Sequence, residues 1–496
     1  MGQEKRIAII GTGFAGLGMA IRLKQEGVDD FVVLEKADDV GGTWRENTYP
    51  GVQCDVPSHL YSFSFAQNPN WSRTFPLGDE IWDYLRECAV RYGVMPHIRF
   101  GEDVQSADWD DERQRWRIET ADDTITAQVL VAGTGPLHEP SIPAVPGLDR
   151  FEGRMFHSAE WEHDHDLTGE RVAVVGTGAS AIQFVPRIQP KVSRMHVFQR
   201  TPPWIVPHPD RALSPLEHRV YRAFPAAQLA MRAAVYWARE TFVLGFMDRR
   251  FAKLPERVAV KYLRDQVPDP ELRRRLTPDY TIGCKRVLIS NDYFPALMQP
   301  NVDLVTDGIA EVRASSVVTA DGSEREVDTL IFGTGFRVTD PPSAHLVRGR
   351  DGRTLAETWQ GSMEAHLGTT IAGFPNLFFL VGPNTGLGHN SIVFMIESQL
   401  NYVLDALRTM DARGAKSIDV RPDVQARYNA AIQKRLRNTV WNAGGCASWY
   451  LDHTGRNTTL WPGFTWPFRR LLRGFDADHY ELRPVAPAPE PEPLAA

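Results

Sequence analysis

The sequence predicts an α/β fold in which one unit, a buried strand followed by a glycine-rich turn and a helix, occurs twice. Residues 6–10 (RIAII) form a short apolar run typical of parallel strands that are buried on both faces. A glycine-rich turn and an apolar helical pattern follow, and residues 31–34 (FVVL) predict the next strand. Residues 171–175 (RVAVV) begin the same order of elements again. With 496 residues, the chain has room for about three domains.

The first glycine-rich turn has the Gly-x-Gly-x-x-Gly spacing of a dinucleotide-binding unit. Gly11 makes the tight turn, Gly13 lets the backbone approach a pyrophosphate, and Gly16 lets the helix pack closely. Phe14 opens the helix, whose N-terminal N–H groups and dipole favour phosphates. Glu35 follows Gly11 by 24 residues, where its carboxylate can accept hydrogen bonds from ribose hydroxyls. Because an acid there disfavours a 2′-phosphate, this site fits FAD or NAD rather than NADP.

The second glycine-rich turn differs from the first in the residue that follows its next strand. Arg200 follows Gly176 by 24 residues, and its guanidinium can pair with the 2′-phosphate of NADPH. A surface arginine after a strand is the alternative interpretation. The residues assigned to this site are Gly176, Gly178, Ala179, Ser180, Arg200 and Thr201. An acidic and a basic dinucleotide site in one chain imply that electrons pass from NADPH to a flavin.

Composition and charge argue against several classes of function. The net charge of −7, from 55 basic and 62 acidic residues, argues against a nucleic-acid partner. The N-terminus leads straight into a strand without a signal peptide. The apolar stretch 226–247 contains Arg232, Arg239 and Glu240, which are too many charges for a membrane span. The four cysteines form no Cys-x-x-Cys pair, so we expect no metal site, no redox dithiol and a cytoplasmic location.

Residues 151–161 match the pattern Phe-x-Gly-x-x-x-His-x-x-x-Trp through Phe151, Gly153, His157 and Trp161. This pattern resembles the fingerprint of the type I Baeyer–Villiger monooxygenases, a family of class B flavoprotein monooxygenases. Related flavin-containing and N-hydroxylating monooxygenases usually have Phe or Tyr in place of the tryptophan. The family pattern usually continues with Pro or Asp, whereas Glu162 follows here. The resemblance implies that His157 couples NADP binding to domain movement, with plain interface packing as the alternative.

Two further segments resemble the active-site loops of the same family. The sequence GGTWRENTYPGVQCD resembles the loop that runs beside the flavin and ends in an active-site aspartate, here Asp55. The sequence GCKR resembles the segment that delivers the active-site arginine, here Arg286. The resemblance therefore implies that Arg286 is catalytic, that Asp55 holds it in place, and that Lys285 points toward the NADP 2′-phosphate. It adds Gly42, Thr43, Trp44, Asp55, Lys285 and Asn384 to the cofactor-binding residues. A turn, ion-pair, surface or core role is the alternative for Asp55, Arg286, Lys285 and Trp44 respectively.

The chemistry implied by the resemblance is insertion of one oxygen atom next to a ketone carbonyl, which gives an ester or lactone. Reduced flavin and O2 form a C4a-peroxyflavin that attacks the ketone, and a Criegee intermediate follows. An arginine suits this step because its charge does not titrate. A helix starting near residues 389–391 favours an anionic reduced flavin through its dipole. Oxygenation of nitrogen or sulfur on the same scaffold is the main alternative, and a disulfide reductase or a non-catalytic flavoprotein is less compatible with the motifs.

These observations predict two Rossmann-like dinucleotide-binding domains, for FAD and NADPH, with an inserted helical subdomain. The predicted segments are 1–150 and 337–482 for FAD, 151–208 and 281–336 for NADP, 209–280 for the helical insertion, and 483–496 for a disordered tail. The Gly- and aromatic-rich segment 441–450 is a candidate mobile lid over NADP. Apolar stretches at 204–206 and 243–246 favour a hydrophobic ketone, and a monomer is the default assembly.

Overall fold

The computed structural model describes residues 3–484 and confirms the predicted α/β fold class. The strands are β1 (Gln3–Ile10), β2 (Phe31–Glu35), β3 (Ile98–Phe100), β4 (Val104–Asp110), β5 (Arg115–Thr120), β6 (Thr124–Ala132), β7 (Arg154–His157), β8 (Arg171–Val175), β9 (Arg194–Phe198), β10 (Ile205–Val206), β11 (Leu288–Ile289), β12 (Val302–Val305), β13 (Ile309–Arg313), β14 (Ser316–Thr319), β15 (Glu324–Glu326), β16 (Thr329–Phe332), β17 (Val347–Arg348), β18 (Leu377–Phe379), β19 (Ala415–Val420) and β20 (Tyr480–Pro484).

The α-helices lie between these strands along the chain. They are α1 (Phe14–Gln25), α2 (Thr43–Glu46), α3 (Gly78–Arg91), α4 (Ala181–Ile188), α5 (Pro215–Ala223), α6 (Pro225–Glu240), α7 (Val243–Met247), α8 (Arg249–Gln266), α9 (Pro270–Arg275), α10 (Tyr293–Leu297), α11 (Ser343–Leu346), α12 (Leu355–Trp359), α13 (Ile392–Arg413), α14 (Pro422–Leu436), α15 (Val440–Ala443) and α16 (Thr465–Leu471). Between residues 3 and 484, none of them is both long and apolar enough to cross a membrane.

The first large sheet is built around β1 and has the strand order β17-β4-β5-β6-β1-β2-β3. Strands β6, β1, β2 and β3 are parallel, and β18 extends this set by pairing with the second half of β6. Strands β4 and β5 add an antiparallel meander. Side chains of β1 alternate between two cores, with Ile7 and Ile9 on one face and Ala8 on the other. Burial on both faces explains why the β1 sequence is a continuous apolar run.

The second large sheet repeats this arrangement with five parallel strands in the order β12-β9-β8-β16-β7. The chain leaves the first sheet after β6 and leaves the second after β16, each time through a Gly-Thr-Gly turn. A Cβ on Gly11 would lie 2.8 Å from the carbonyl oxygen of Gly133, and one on Gly176 would lie 2.5 Å from that of Gly333. These two Gly-Thr-Gly segments, the chain crossings, therefore pack against the two glycine-rich turns in the same way.

Helices α5 to α9 form the insertion, and they lie in the chain between β10 and β11, which pair with each other in parallel. Helix α6 is held to the first sheet's loops by polar contacts. The Arg232 guanidinium is buried and donates from Nη1 to the carbonyl oxygens of His59, Leu60 and Ser62. A buried guanidinium with several acceptors is stable, whereas one without them would be costly.

The structure differs from the sequence-based expectations at two places near the C-terminus. Strand β20 extends to Pro484 and pairs with β19, so the first two residues of the predicted tail 483–496 are part of a sheet. The rest of that predicted tail, residues 485–496, lies outside the described residues. In the candidate lid, Trp441 and Tyr450 are each 1% exposed and belong to the main core, which identifies both ends of the segment as fixed anchors.

The structure contains a disulfide that the search for Cys-x-x-Cys pairs did not predict. Cys284 and Cys446 form it across a separation of 162 residues. Cys54 and Cys88 are free and buried. A motif search detects only cysteines that are close in sequence, whereas folding brings the segment after α15 against the segment before β11.

The first glycine-rich turn provides a matched pair of substitutions that separates fold from ligand. A Cβ on Gly16 would lie 1.9 Å from the carbonyl oxygen of Gly11, whereas one on Gly13 would meet nothing nearer than 3.8 Å. We expect Gly16→Ala to lower the free energy of unfolding by about 3 kcal/mol, because the backbone must move. Gly13→Ala should cost less than about 1 kcal/mol. Urea unfolding of protein stripped of nucleotide tests this, and equal losses in the two variants would contradict it.

Candidate active site

Two glycines in the predicted turns are not required by the fold itself. Gly13 has a φ of −71°, and a Cβ on either Gly13 or Gly178 would meet nothing nearer than 3.8 Å. Gly11 and Gly176, in contrast, have φ values of +92° and +106°, a region that favours glycine. The open space in front of Gly13 and Gly178 is what the close approach of a pyrophosphate needs. The residues at both turns therefore fit a dinucleotide.

Glu35 ends β2 beside the first turn and is buried. Its Oε2 atom accepts hydrogen bonds from the Thr12 backbone N–H, at 3.0 Å, and from the Thr12 hydroxyl, at 2.5 Å. Its Oε1 atom accepts from the Ala37 N–H at 3.0 Å. The carboxylate thus fixes the shape of the glycine-rich turn in this structure, and its contact with a ribose stays a prediction.

The segment that resembles the flavin-side loop packs directly against the first turn. A Cβ on Gly42 would lie 3.0 Å from the Cα of Gly13, so the two backbones are in close contact. Thr43 donates from its hydroxyl to the carbonyl oxygen of Leu137 at 3.1 Å. Trp44 is half-buried and donates from Nε1 to the Tyr61 hydroxyl at 3.1 Å. Phe14 meets the same Tyr61 ring edge-on, with ring centres 5.1 Å apart.

A cavity of about 380 Å³ contains three cationic side chains, Arg200, Arg275 and Lys285, and one carboxylate, Asp279. Thr201, which follows Arg200, also lines it. Burial lowers the pKa of the Lys285 ammonium, the positive charge of Arg200 lowers it further, and Asp279 opposes the shift. Because cations outnumber the single carboxylate, the cavity favours an anionic ligand. Ala179 and Ser180 lead into α4, whose Ser180 N-cap makes no side-chain hydrogen bond to the helix.

Asp55 and Arg286 form a bidentate ion pair although they are 231 residues apart. The Nε and Nη2 atoms of Arg286 each donate to one carboxylate oxygen of Asp55, both at 2.6 Å. Burial alone would raise the pKa of Asp55, but the charge and hydrogen bonds of Arg286 outweigh it and hold that pKa below its usual value. Asp55 in turn raises the pKa of the guanidinium. Each partner therefore favours the ionised form of the other.

The pair lies near the flavin-side loop and the C-terminal segment. Burial raises the pKa of the Tyr61 hydroxyl well above its ordinary value, with smaller effects from Asp55 and Arg286, which places Tyr61 close to both. Burial also raises the pKa of Tyr450 to about 12, and Arg286 opposes that shift. The loop that ends in Asp55 packs on the first turn through Gly42 and Gly13, and this loop therefore connects the ion pair to the first dinucleotide turn.

Arg239 belongs to this site although no motif in the sequence indicates it. It comes from α6 and donates from Nη2 to the carbonyl oxygen of Asp55 at 2.5 Å. One helix of the insertion thus fixes the backbone of the residue that orients Arg286. The only signal in the sequence is an arginine within an otherwise apolar helical stretch. That pattern is equally typical of a surface arginine whose aliphatic stem covers apolar side chains while its charge stays in water.

The fingerprint residues lie where the second sheet meets the chain crossing. A Cβ on Gly153 would lie 2.2 Å from the carbonyl oxygen of Asp328 and 2.6 Å from the Phe151 ring, so packing requires glycine. His157 ends β7 and is fully buried, and its Nδ1 accepts from the Ala159 N–H at 3.1 Å. Burial lowers the pKa of its imidazole, which is therefore neutral. Its Nε2 atom has no hydrogen-bond partner among residues 3–484.

Trp161, the last fingerprint residue, packs among aromatic rings, whereas Glu162, which follows it, makes an ion pair. The Trp161 ring packs against Phe156 and Phe184, with ring centres 5.2 and 5.3 Å away. Glu162 lies 3.9 Å from the Arg154 guanidinium in a half-exposed ion pair. Such a pair contributes little to stability, so Glu162 in place of the usual residue leaves the packing of Trp161 unchanged.

A second contact between the two halves of the molecule had no sequence signal. Gln183 on α4 accepts from the Tyr49 hydroxyl at 3.0 Å and from the Gln53 N–H at 3.2 Å, and it donates to the Gln53 carbonyl oxygen at 2.9 Å. These bonds join the helix after the second turn to the loop that ends in Asp55. Helix α4 is therefore joined to the loop two residues before Asp55.

Asn384 and the start of α13 close the first site. Asn384 is buried with a φ of +57°, and its amide donates to the carbonyl oxygens of Asn457 and Leu460. Its Oδ1 atom is buried and has no partner within the described chain. Helix α13 begins at Ile392. His389, three residues before the helix, is buried with its Nε2 atom 3.4 Å from the carboxylate of Glu240, which comes from α6.

Comparison with known proteins places the whole chain in one family. A family model described as pyridine nucleotide-disulphide oxidoreductase matches residues 8–235. A closed crystal structure of cyclohexanone monooxygenase has a TM-score of 0.88 and 28% identity, and the match covers 98% of this chain and 100% of that one. An oxidised steroid monooxygenase bound to NADP has a TM-score of 0.85 and 31% identity, over 97% and 99% of the two chains.

Relatives in two bacteria are more similar in sequence. A Baeyer–Villiger monooxygenase of Streptomyces coelicolor is 54% identical over 488 residues, which cover 98% of this chain and 94% of that protein. A Baeyer–Villiger monooxygenase of Pseudomonas aeruginosa is 53% identical over 480 residues, which cover 96% and 91%. Identity at this level over nearly the full length, together with the two glycine-rich turns and the Asp55–Arg286 pair, establishes that the chain belongs to the Baeyer–Villiger monooxygenase family.

Proposed function

We propose that this protein is an FAD-containing enzyme that uses NADPH and O2 to insert one oxygen atom next to a ketone carbonyl, giving an ester or lactone. The observation that carries the proposal is the bidentate Asp55–Arg286 pair, which fixes a positive charge at the end of the loop that packs on the first dinucleotide turn. A ketone that gains a bond to oxygen develops negative charge on its carbonyl oxygen. A guanidinium already in position stabilises that charge without reorganisation.

FAD, reduced by NADPH, supplies the activated oxygen when both cofactors are bound. The residues that would hold FAD are Gly11, Gly13, Phe14, Gly16, Glu35, Gly42, Thr43, Trp44, Asp55 and Asn384. Those that would hold NADPH are Gly176, Gly178, Ala179, Ser180, Arg200, Thr201 and Lys285. Two observations support this division: space at Gly13 and Gly178 for a pyrophosphate, and a cation pair in the cavity of the second site. A related steroid monooxygenase is bound to NADP in its crystal structure.

Arg286 is the proposed catalytic residue, and Asp55 and Arg239 position it. A guanidinium does not lose its proton in a protein, so its charge is constant through the reaction. Asp55 restricts the guanidinium to one plane through two hydrogen bonds, and Arg239 fixes the backbone of Asp55. His157 is neutral and buried. We therefore assign it to coupling between the NADP site and the chain crossing, and not to acid–base chemistry.

The domain boundaries, the substrate class, the assembly and the location are also proposed. The proposed FAD domain comprises 1–150 and 337–482, the NADP domain 151–208 and 281–336, and the insertion 209–280. We propose a hydrophobic ketone, because α7 and its surroundings present apolar side chains near the site. Phe246 stacks on Trp441 with ring centres 5.3 Å apart and lies 6.4 Å from the His389 ring. A monomer and a cytoplasmic location complete the proposal.

The reaction class is tested by product analysis under isotopically labelled oxygen. Purified protein with FAD and NADPH would be supplied with ¹⁸O2 and, in parallel, cyclohexanone, a linear methyl ketone and thioanisole. We expect one ¹⁸O atom in the ester or lactone and consumption of one NADPH per product. Sulfoxide formation without any ester would contradict the proposal and favour heteroatom oxygenation.

Substitution of Arg286 should slow ester formation far more than it slows the reduction of the flavin by NADPH. We expect Arg286→Ala to lower ester formation at least about 100-fold, since it removes a preorganised positive charge. The rate at which NADPH bleaches the bound flavin without oxygen should change less than about threefold, because Arg200 and Lys285 remain. Stopped-flow absorbance and product chromatography measure the two rates.

Arg200→Ala is the matched control for that experiment, because it removes the same kind of charge from the second site. It should raise the KM for NADPH and leave the fraction of reduced flavin that yields ester unchanged. Ester formation by Arg286→Ala at a rate close to that of the wild type would refute the role assigned to Arg286.

We expect the Cys284–Cys446 disulfide to affect the binding of NADPH at the second site. Cys446 and its neighbours Gly445 and Ala447 line the cavity that contains Lys285, and the disulfide joins this loop to Cys284, the residue before Lys285. Reduction of the disulfide frees the loop at Cys446, so NADPH binding must order that loop again. We expect dithiothreitol to raise the KM for NADPH about three- to tenfold, since ordering a few side chains costs about 0.5–1.5 kcal/mol each.

Cys446→Ser serves as the control, because it should show the raised KM without reductant and no further response to it. A KM that does not change on reduction would contradict the prediction. In a cytoplasmic location, which is reducing, the open form would be the working form.

A further inference from the structure

Helix α6 has its polar residues on the inside and its apolar residues on the outside. Gln228, Arg232, Tyr236 and Glu240 recur every fourth residue, so they lie on one face, and all four are buried. Glu240 accepts from the Asn390 amide at 2.6 Å and from the Thr465 N–H at 2.9 Å. The protein interior therefore satisfies this polar face, and the solvent-facing side of the helix is left without a charged residue.

The apolar side chains on this surface extend into the next two helices. The outer face of α6–α8 comprises Leu229, Met231, Trp237, Phe242, Leu244, Phe251, Leu254 and Val258. Trp237 is 58% exposed, Phe251 57% and Leu254 69%. Of the 19 large apolar side chains that are exposed between residues 3 and 484, 11 lie within residues 216–260. Single exposed apolar residues are ordinary, but a concentration of this kind marks a contact surface.

The charges around this face are almost all positive. Residues 219–261 contain nine basic and three acidic residues, a net charge of +6 in a chain whose net charge is −7. The seven exposed cations are Arg219, Arg222, Arg249, Arg250, Lys253, Arg257 and Lys261. None of the three acids in the segment is fully exposed, because Glu240 is buried and Asp248 and Glu256 are partly covered. Asp248 pairs with Arg250, and Lys261 pairs with Asp265 just beyond the segment, which leaves the other five exposed cations without an ion pair in the described chain.

We propose that the outer face of α6–α8 docks on the surface of an anionic lipid bilayer. Aromatic and aliphatic side chains flanked by arginine and lysine are the features of helices that lie in the headgroup layer. Charge complementarity favours this occupant over a second copy of the chain, since two such faces would repel each other. Arg232, Arg239 and Glu240, which prevent the stretch 226–247 from spanning a membrane, all point toward the protein and leave the outer side free to bind lipid.

Docking would also bring lipid close to the site of reaction. The inner side of α6 carries Arg239, whose guanidinium contacts Asp55. One helix diameter, about 10–12 Å, therefore separates the docked surface from the Asp55–Arg286 pair. An apolar ketone dissolved in the bilayer would have a short route to the enzyme. This consequence rests on the proposed function, whereas lipid binding itself does not.

Co-sedimentation of the full-length holoprotein with vesicles tests the proposal without any measurement of activity. The probes are vesicles of pure phosphatidylcholine and vesicles with 30 mol% phosphatidylglycerol, each at low and high salt. We expect the partition coefficient to be at least about tenfold higher on the anionic vesicles, because several cations near the surface contribute together. High salt should remove most of this difference.

Two pairs of variants locate the binding surface. Trp237→Gln with Phe242→Gln removes apolar contacts, and Lys253→Glu with Arg257→Glu reverses charges; each should lower the partition coefficient about tenfold. Trp466→Gln, at an exposed tryptophan on α16, and Arg413→Glu, at the end of α13, are the matched controls and should bind as the wild type does. All four positions in the test variants are exposed, so thermal unfolding should be unchanged.

The outcomes separate the possible occupants of the face. Binding to anionic vesicles that is lost in both test variants and kept in both controls supports the proposal. Equal binding to the two vesicle types, no binding, or binding that the test variants retain would overturn it. Dimers in sedimentation velocity that dissociate on Trp237→Gln with Phe242→Gln would identify a second copy as the occupant, and would overturn it as well.

Discussion

The ion pair between Asp55 and Arg286 is the interaction on which the arrangement of the site depends. Its partners come from segments 231 residues apart, and a third segment, α6, supplies Arg239 to the Asp55 backbone. Removing two charges from water is costly, and breaking such a pair leaves one charge without compensation. The flavin-side loop, the insertion and the segment before β11 must therefore close together. Tyr450 and the Cys284–Cys446 disulfide add the C-terminal segment to the same assembly.

The sequence predicts the parts of this structure that depend on local rules. Buried parallel strands need continuous apolar runs, so β1 and β8 follow from composition. Tight turns packed against a chain crossing need glycine, so the two glycine-rich turns follow from spacing. Asp55 and Arg286 followed only from resemblance to a family, because an isolated aspartate and arginine have no local pattern. Arg239 and Gln183 had no signal that assigned them to the site, since each acts on a segment more than 100 residues away in the chain.

Helix α6 and the disulfide show why local patterns failed elsewhere. Charged residues in an apolar stretch are normally assigned to the solvent side, but Arg232 and Glu240 face inward because carbonyl, amide and hydroxyl groups of other segments receive them. Cys284 and Cys446 have no spacing that links them. In both cases the partner comes from the tertiary fold, so periodicity and motif searches, which use only neighbouring residues, give the wrong environment.

Residues that the fold itself does not require identify the ligands that it is built to hold. Gly13 and Gly178 have room for a side chain, so sterics within the protein do not select glycine there. Arg200, Arg275 and Lys285 line one cavity with a single carboxylate, Asp279, so the cavity keeps an excess of positive charge that a bound anion would offset. Asn384 keeps a buried oxygen without a partner in the described chain, at a cost that a bound group would remove. These features lie at the two glycine-rich turns, in the cavity of the second site and in the loop before α13. A bound dinucleotide would use the open space at the glycines, and a bound group would offset the excess charge and the unpaired oxygen.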